Sequence, residues 1–338
     1  MLVDVRACVA MPSDGGVMGN KHGIELVTDQ AEWDKLFSQV EQPHISQAWA
    51  YGQAVQETVD FATRRLLDAG GWRARRVVFI RGGAPVAICQ LLDKSLAGLR
   101  FVSLADRGPL FLDAEPTDDT VRDVYRALRQ ATHLRGLLIL VPALPDSPHN
   151  VALLGELGFR PRPAEGFRST RVDLTPDEEE MRKKLKSKWR NQLKSGERSG
   201  AVMTASTSPE AVEWMIERHV ENMKDKGFTE PTPAFVRALY NAAPDDFVVC
   251  QAVVDGKSLA GMAAFTFGQA AEYYIGWVSD AGRKLNVNNF LFWQAGLELR
   301  RRGCRTFDLG GMRAGSTEGF KTGMGGSEYQ LVNNWLSF

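Results

Sequence analysis

The sequence predicts a mixed α+β (α/β) chain made of two tandem units, each a central sheet flanked by helices. Three observations carry that expectation. Apolar runs with strand character come in threes, over residues 73–80, 86–92 and 99–105 and again over 247–254, 258–267 and 271–278. Each set leads to a helical pattern and then to a further apolar strand, GLLILVP in one case and CRTFDLGG in the other. The order of helix, three-strand meander, helix and strand thus occurs twice in 338 residues, the signature of a duplicated unit of about 150 residues.

Residues 1–23 have neither a cationic start nor a long apolar stretch, so a disordered leader is expected there in place of a secretory signal. IELV reads as a strand, and Thr28 is placed to cap a short helix through Phe37. A second helix is expected over 47–60, with aromatic residues at its start. The meander follows, with a hairpin turn at RGGAP, then Arg107-Gly108-Pro109, a helix over 118–133, the GLLILVP strand and a short helix. The proline-rich stretch 161–166 marks the boundary, giving an N-terminal domain over 24–162 and a C-terminal domain over 163–338.

In the second unit, Thr175-Pro176-Asp177-Glu178 reads as a capping box opening a helix to about Arg198. Ser208-Pro209 opens another that ends at Gly227, and a third is expected near 235–241. Asp255-Gly256 turns the second meander, a helix covers about 288–302, and a last strand runs from 329 to 338.

Composition sets limits. With 44% hydrophobic residues and 41 basic against 41 acidic, the chain is globular and has no global attraction for polyanions; no DNA partner is expected. No apolar run approaches the roughly 20 residues that span a bilayer. Cys8, Cys89, Cys250 and Cys304 lie far apart without a CxxC pair, which points to reduced thiols in a cytoplasmic protein. The five histidines form no metal-binding spacing, and no metal or cofactor is expected.

Residues 307–326 hold seven glycines in twenty positions, a density that implies tight turns or close backbone approach. A dinucleotide loop should open a helix directly after a strand, and a P-loop needs GKS or GKT; here Lys321 follows Phe320 at the loop's exit. Between Arg182 and Arg198 stand eight Lys or Arg against the single Glu197. Met181, Leu185, Trp189 and Leu193 make an apolar stripe beside the row Arg182, Lys186, Arg190, Lys194 and Arg198, so one face packs and the other can meet phosphate or remain a solvated cationic face.

The duplicated unit, KWRNQLKSGERSG, YYIGW, NNFLFWQAGLELRRRGCRTFDLGG and the ending GFKTGMGG resemble the Fem family of peptidoglycan-bridge aminoacyl transferases. The resemblance spans residue 24 to the C-terminus and implies two tandem acetyltransferase-like (GNAT) domains. It further implies transfer of an amino acid from aminoacyl-tRNA to an amine of a UDP-linked precursor such as UDP-MurNAc-pentapeptide, or of a lipid-linked one. A lipid-linked acceptor would bring the chain to the inner membrane face.

By the same resemblance Lys321, with Phe320 beside it, would stabilise the tetrahedral oxyanion formed as an amine attacks an aminoacyl ester. Arg190 in the basic row would meet tRNA or diphosphate, and Lys226 in KGF would meet the diphosphate, where the family's usual residue is arginine. Trp49, Tyr51, Tyr274 and Trp277 would line the acceptor cleft, or else belong to the core. Asp308 is expected to cap the following loop. No Ser-His-Asp or Cys-His set appears, which suits direct transfer without a covalent enzyme intermediate. A GNAT-like N-acyltransferase using acyl-CoA on a small amine or envelope polysaccharide is the alternative. Against it, SDAGRKLNVNN stands where the [RQ]xxGx[GA] pyrophosphate loop belongs.

Overall fold

The computed structural model describes residues 23–58, 71–96, 99–133, 136–163, 165–312 and 316–338. The first unit runs β1 (Gly23–Val27), α1 (Gln30–Phe37), α2 (Trp49–Glu57), β2 (Arg73–Arg81), β3 (Ala84–Leu96), β4 (Leu99–Asp106), β5 (Leu110–Phe111), α3 (Asp118–His133), β6 (Leu137–Val141), α4 (Pro148–Glu156) and β7 (Arg160–Pro161). The second runs β8 (Arg168–Asp173), α5 (Glu178–Lys184), α6 (Ser187–Glu197), β9 (Val202–Ser206), α7 (Pro209–Lys226), α8 (Pro233–Ala242), β10 (Phe247–Val254), β11 (Lys257–Phe267), β12 (Ala270–Val278), α9 (Asp280–Lys284), α10 (Val287–Arg301), β13 (Thr306–Asp308), α11 (Ser316–Gly323), β14 (Ser327–Gln330) and β15 (Trp335–Ser337).

Two mixed sheets result, ordered β1-β2-β3-β4-β6-β15-β7 and β14-β8-β13-β12-β11-β10-β9. Strand alternation sends successive side chains to opposite faces, which explains the near-continuous apolar runs: both faces of each sheet are covered. Val77 and Phe79 enter an outer core under α3 and α4, whereas Val78 enters an inner core that also holds Met215 and Phe265. Likewise Phe247 and Val249 face the inner core, while Val248 and Cys250 face a second outer core with Trp189, Leu193 and Trp293. The inner core is one continuous cluster drawn from both units, so α1, α2, α7 and α8 join the two sheets through apolar packing.

Local capping differs in places from the sequence expectation. Asp29, not Thr28, caps α1 by accepting from the Glu32 amide at 2.9 Å. The 47–60 helix is shorter: residues 45–47 form a 3-10 turn and α2 begins at Trp49, while 59–60 lie outside the described residues. Ser208 and Gly227 bound α7 as expected, Gly227 in the left-handed conformation with φ 70.

The helix expected over 175–198 is two helices. Asp177 caps α5, and the backbone is extended at Leu185 and Lys186 before α6 starts. The reason lies in the glycine segment packed against the break. The Lys186 amide donates to the Gly323 carbonyl at 3.0 Å, and a Cβ on Gly325, which has φ +80, would stand 2.5 Å from the Lys184 carbonyl. The apolar stripe survives the break, since Met181, Leu185, Trp189 and Leu193 are all buried.

The closing strand expected over 329–338 is likewise two strands, in different sheets. β14 pairs with β8, whereas β15 pairs with β6 and β7 of the first sheet. Val332 and Trp335 draw the chain across by burying themselves in the outer core of the first unit. A division at 162/163 therefore leaves the end of the chain inside the first sheet. The leader expected over 1–23 lies outside the described residues except for Gly23, which opens β1.

Candidate functional site

The two sheets differ at one pair of parallel strands. In the first, β4 and β6 stay paired over five residues, from Val102↔Leu137 to Asp106↔Val141. In the second, β12 and β13 pair only from Ala270↔Thr306 to Glu272↔Asp308, although β12 continues to Val278. β12 also carries an irregularity, because Ala264 faces Tyr273 while Ala263 faces Ile275, leaving Tyr274 as an extra residue. A gap therefore opens in the second sheet beyond Glu272 and Asp308.

Lys321 fills it. Its Nζ donates to the Gly310 and Gly311 carbonyls at 3.0 and 2.8 Å and stands 5.4 Å over the Tyr273 ring. Gly310 has φ +71, and a Cβ there would be 3.0 Å from the Tyr273 carbonyl, so the close approach needs glycine. Burial pushes the ammonium down to about 8, against the pull of Asp308 and Glu272. Phe320 and Lys321 lie on a short helix, α11, and not in the glycine loop's exit as the sequence had suggested. The Phe320 ring packs edge-on against Phe292 at 4.9 Å and near Trp189 at 6.0 Å, which fixes α11 and turns the next residue into the gap.

Around this point lies a buried polar cluster, of which only Asp308 was singled out from the sequence. Asp308 accepts from the Gly310 amide at 2.8 Å, Ser169 Oγ at 2.5 Å and Tyr329 OH at 2.6 Å, so it does cap the loop. Its neighbour in register, Glu272, faces His44 of the first unit across 3.4 Å. His44 Nδ1 accepts the Ser46 amide, which leaves the ring proton on Nε2 toward Glu272. Burial, with Asp308 alongside, pushes the Glu272 carboxyl up to about 8, and burial with Arg107 and Arg171 pushes His44 below its ordinary value. The available signal was the polar Glu272 within the apolar run AAEYYIGWV, together with Arg107-Gly108-Pro109 after a strand.

Of the other expected site residues, Tyr51 and Tyr274 lie near each other and within the field of Glu272, and the rest are spread out. Tyr51 packs edge-on against Phe235 at 5.2 Å, and Tyr274 lies 6.4 Å from Phe247; both phenols face the inner core, where burial raises them. Trp277 meets Trp214 edge-on at 6.1 Å under Arg218. Trp49 lies 3.5 Å beneath the Arg76 guanidinium. Lys226 ends α7 beside Arg283, and partial burial lowers it. Arg190 donates to the Lys183 and Leu185 carbonyls at 3.1 and 2.9 Å, closing the end of α5. Among the described residues no helix is long and apolar enough to cross a membrane, and Cys89, Cys250 and Cys304 are buried free thiols.

Comparison with known proteins agrees with this architecture. Residues 180–329 match the family model described as Acetyltransferase (GNAT) domain, the span from α5 to β14 that contains the gap and Lys321. The crystal structure of FemX superposes with a TM-score of 0.74 at 14% identity, covering 93% of this chain and 96% of that one. A conserved protein of unknown function from Bacteroides thetaiotaomicron gives 0.54 at 9% identity, covering 93% and 99%. The C-terminal domain of a provisionally assigned lysylphosphatidylglycerol synthetase from Agrobacterium fabrum gives 0.50 at 17% identity, covering 91% and 92%. No curated protein matches by sequence. At these identities the likeness is one of fold, and the Fem resemblance read from the sequence holds at that level. Residues 180–329 are thus similar to the GNAT acetyltransferase domain, and the chain as a whole has the tandem fold of FemX.

Proposed function

We propose that the chain is a non-ribosomal aminoacyl transferase that moves an amino acid from aminoacyl-tRNA to an amine of a peptidoglycan precursor, UDP-linked or lipid-linked, in the cytoplasm. The observation that carries this reading is the buried Lys321 ammonium held where β12 and β13 part, beside Tyr273 and the Gly310 and Gly311 carbonyls. The acceptor amine attacks the ester carbonyl, a C–N bond forms, and the carbonyl oxygen becomes an oxyanion opposite Lys321. A preorganised donor at that point lowers the barrier by about 3 kcal/mol. Collapse breaks the ester C–O bond and releases the ribose hydroxyl, which takes up the proton that the amine has lost. Phe320 positions the lysine through its packing, and no covalent enzyme intermediate forms.

The donor's phosphates are assigned to α6, where Lys186 is exposed and Lys194 lies one turn from the helix end, while Arg182 and Arg190 are engaged within the protein. Lys226, Trp49, Tyr51, Tyr274 and Trp277 are assigned to the acceptor side. The GNAT match favours one second reading, an acyl-CoA N-acyltransferase. Against it, β12 is followed by the short helix α9, capped by Ser279, in place of a pyrophosphate loop that opens α10.

Purified protein incubated with UDP-MurNAc-pentapeptide and a pool of charged tRNA, with and without RNase, is read by mass. A gain of one amino-acid residue that RNase abolishes supports transfer from tRNA and identifies the amino acid. A gain seen only in a parallel acyl-CoA reaction overturns it in favour of the second reading.

A further inference from the structure

Where the β11–β12 hairpin turns, at the end of β12 away from the gap, lies a cavity of about 240 Å³ to which the transfer chemistry gives no role. Its walls come from α1 of the first unit and, in the second, from the end of β11 and the 3-10 turn Pro244–Asp246. Sites for drug-sized ligands run to roughly 300–1,000 Å³, so the space suits a smaller occupant.

One wall is aromatic. Phe265 and Phe267 stand on the same side of β11, their ring centres 6.5 Å apart and their planes within 24°, and Phe37 at the end of α1 meets Phe267 at 6.2 Å. The faces of such rings carry negative potential and attract a cation held over them.

Carboxylates supply the charge. Asp34 lies one turn before Phe37 and shares its face of α1, exposed at the mouth of the cavity, while Asp246 closes the 3-10 turn and is half-buried. Asp246 accepts from Thr266 Oγ1 at 2.7 Å, and neither carboxylate forms an ion pair with Lys or Arg among the described residues. Burial raises both carboxyls above their ordinary value; Asp245 and Asp34 push Asp246 further, and Asp29 does the same to Asp34. The cation that acts on Asp34 is Arg76, whose guanidinium is already spent on Trp49, 3.5 Å over its ring and donating to its carbonyl at 2.9 Å. Among the described residues the cavity therefore gathers negative charge without a side-chain cation of its own.

A primary ammonium has three donors and can serve both acids at once, and an apolar stem suits the rings behind them. We infer that this cavity binds an alkylammonium ion, its ammonium between Asp34 and Asp246 and its carbon chain against the Phe37, Phe265 and Phe267 rings. A metal ion fits less well, since no group of three His, Cys, Asp or Glu among the described residues could hold one. Asp34 belongs to the first unit and Asp246 to the second, so the bound ion ties α1 to the β11–β12 hairpin. The inference does not rest on the transfer reading.

Calorimetric titration and thermal unfolding of the full chain at low salt test it, with n-butylammonium, n-butanol, ammonium and magnesium as probes. The butylammonium ion is expected to bind saturably, to raise Tm, and to bind about 10-fold or more tightly than the uncharged alcohol or ammonium. Asp34→Asn and Asp246→Asn should each weaken it about 10-fold, with Tm in the absence of probe as the check on folding. Because Asp34 is exposed, its replacement leaves the core intact. Equal binding of amine and alcohol, no saturable binding, or an unchanged affinity in Asp34→Asn overturns the inference. Magnesium binding in preference to butylammonium makes this a metal site and overturns it as well. No transfer is measured, so this titration and the mass-shift assay fail independently of each other.

Discussion

Replacing Lys321 with methionine tests the proposed mechanism at one point. The side chain keeps its length and apolar stem, but the ammonium and its bonds to Gly310 and Gly311 are lost. If that ammonium faces the developing oxyanion, kcat should fall about 100-fold to 1,000-fold, the loss on removing one oxyanion donor, with KM little changed. Stability should scarcely move. Displacement of the lysine from 10.5 to about 8 amounts to roughly 3 kcal/mol against the buried charge. The lost bonds to two carbonyls contribute about 3 kcal/mol in the opposite sense.

The pH dependence has a definite sign. Lys321 is charged below about 8, so transfer by the wild type should fall as pH rises through that value, and the variant should lack this alkaline limb. The folded state releases the proton before the unfolded state does, so the charge-burial penalty is present below about 8 and is relieved between there and 10.5; Tm of the wild type should gain on the variant across that window. Steady-state kinetics from pH 6 to pH 10, about half a unit apart, supply the check. A variant within about 3-fold of wild-type kcat, or one that keeps the limb, would refute the oxyanion role.

Further outcomes follow from the same geometry. Phe320→Ala removes a ring wedged between Phe292 and Trp189, and should lower stability by about 2 kcal/mol and kcat with it, as read by denaturant unfolding beside kinetics. Gly325→Ala forces a Cβ to 2.5 Å from the Lys184 carbonyl at φ +80, and should cost more than about 2 kcal/mol; a Tm within 1 °C, roughly, of wild type would contradict the account of the α5–α6 break. Glu272 holds its proton in the folded state up to about 8 but releases it near 4.5 when unfolded, so stability should decline as pH rises across that range, and Glu272→Gln should flatten the decline in Tm. Lys186→Gln with Lys194→Gln should reduce the salt dependence of tRNA binding by about two phosphate contacts, measured by filter binding at several salt concentrations.

What could be read in the sequence was whatever is enforced locally. The two meanders, α3 over its full length and the Ser208 to Gly227 bounds of α7 follow from periodicity, turn residues and caps. Lys321 was singled out by resemblance, and its ammonium lies where β12 parts from β13. Apart from the cap of α1, which falls on Asp29 beside the expected Thr28, the failures share one cause, a distant segment deciding a local conformation. Nothing in the run from 178 to 197 contradicts one continuous helix; the break follows from Gly323 and Gly325 packing on it from more than a hundred residues away. The His44 and Glu272 contact was also hidden: Glu272 is the one charged residue of its apolar run, but its partner lies more than two hundred residues away, and they meet only when the two sheets pack across the inner core.

The crossing of the C-terminal strand bears on how the cleft between the units can move. Tyr329 sits in β14, bonded to Asp308 beside the gap, and six residues later Trp335 is buried in the first sheet between β6 and β7. Along that path Leu331 bridges Pro145 of the first unit, and its amide donates to Phe167 in the second. The inner core and the His44 contact with Glu272 add further ties between the units. A hinge that opened the cleft widely would have to break a β-pairing, a buried polar contact and an apolar core together, whereas hinges in mobile domains run through a few loop residues. The two walls are therefore held in fixed relation.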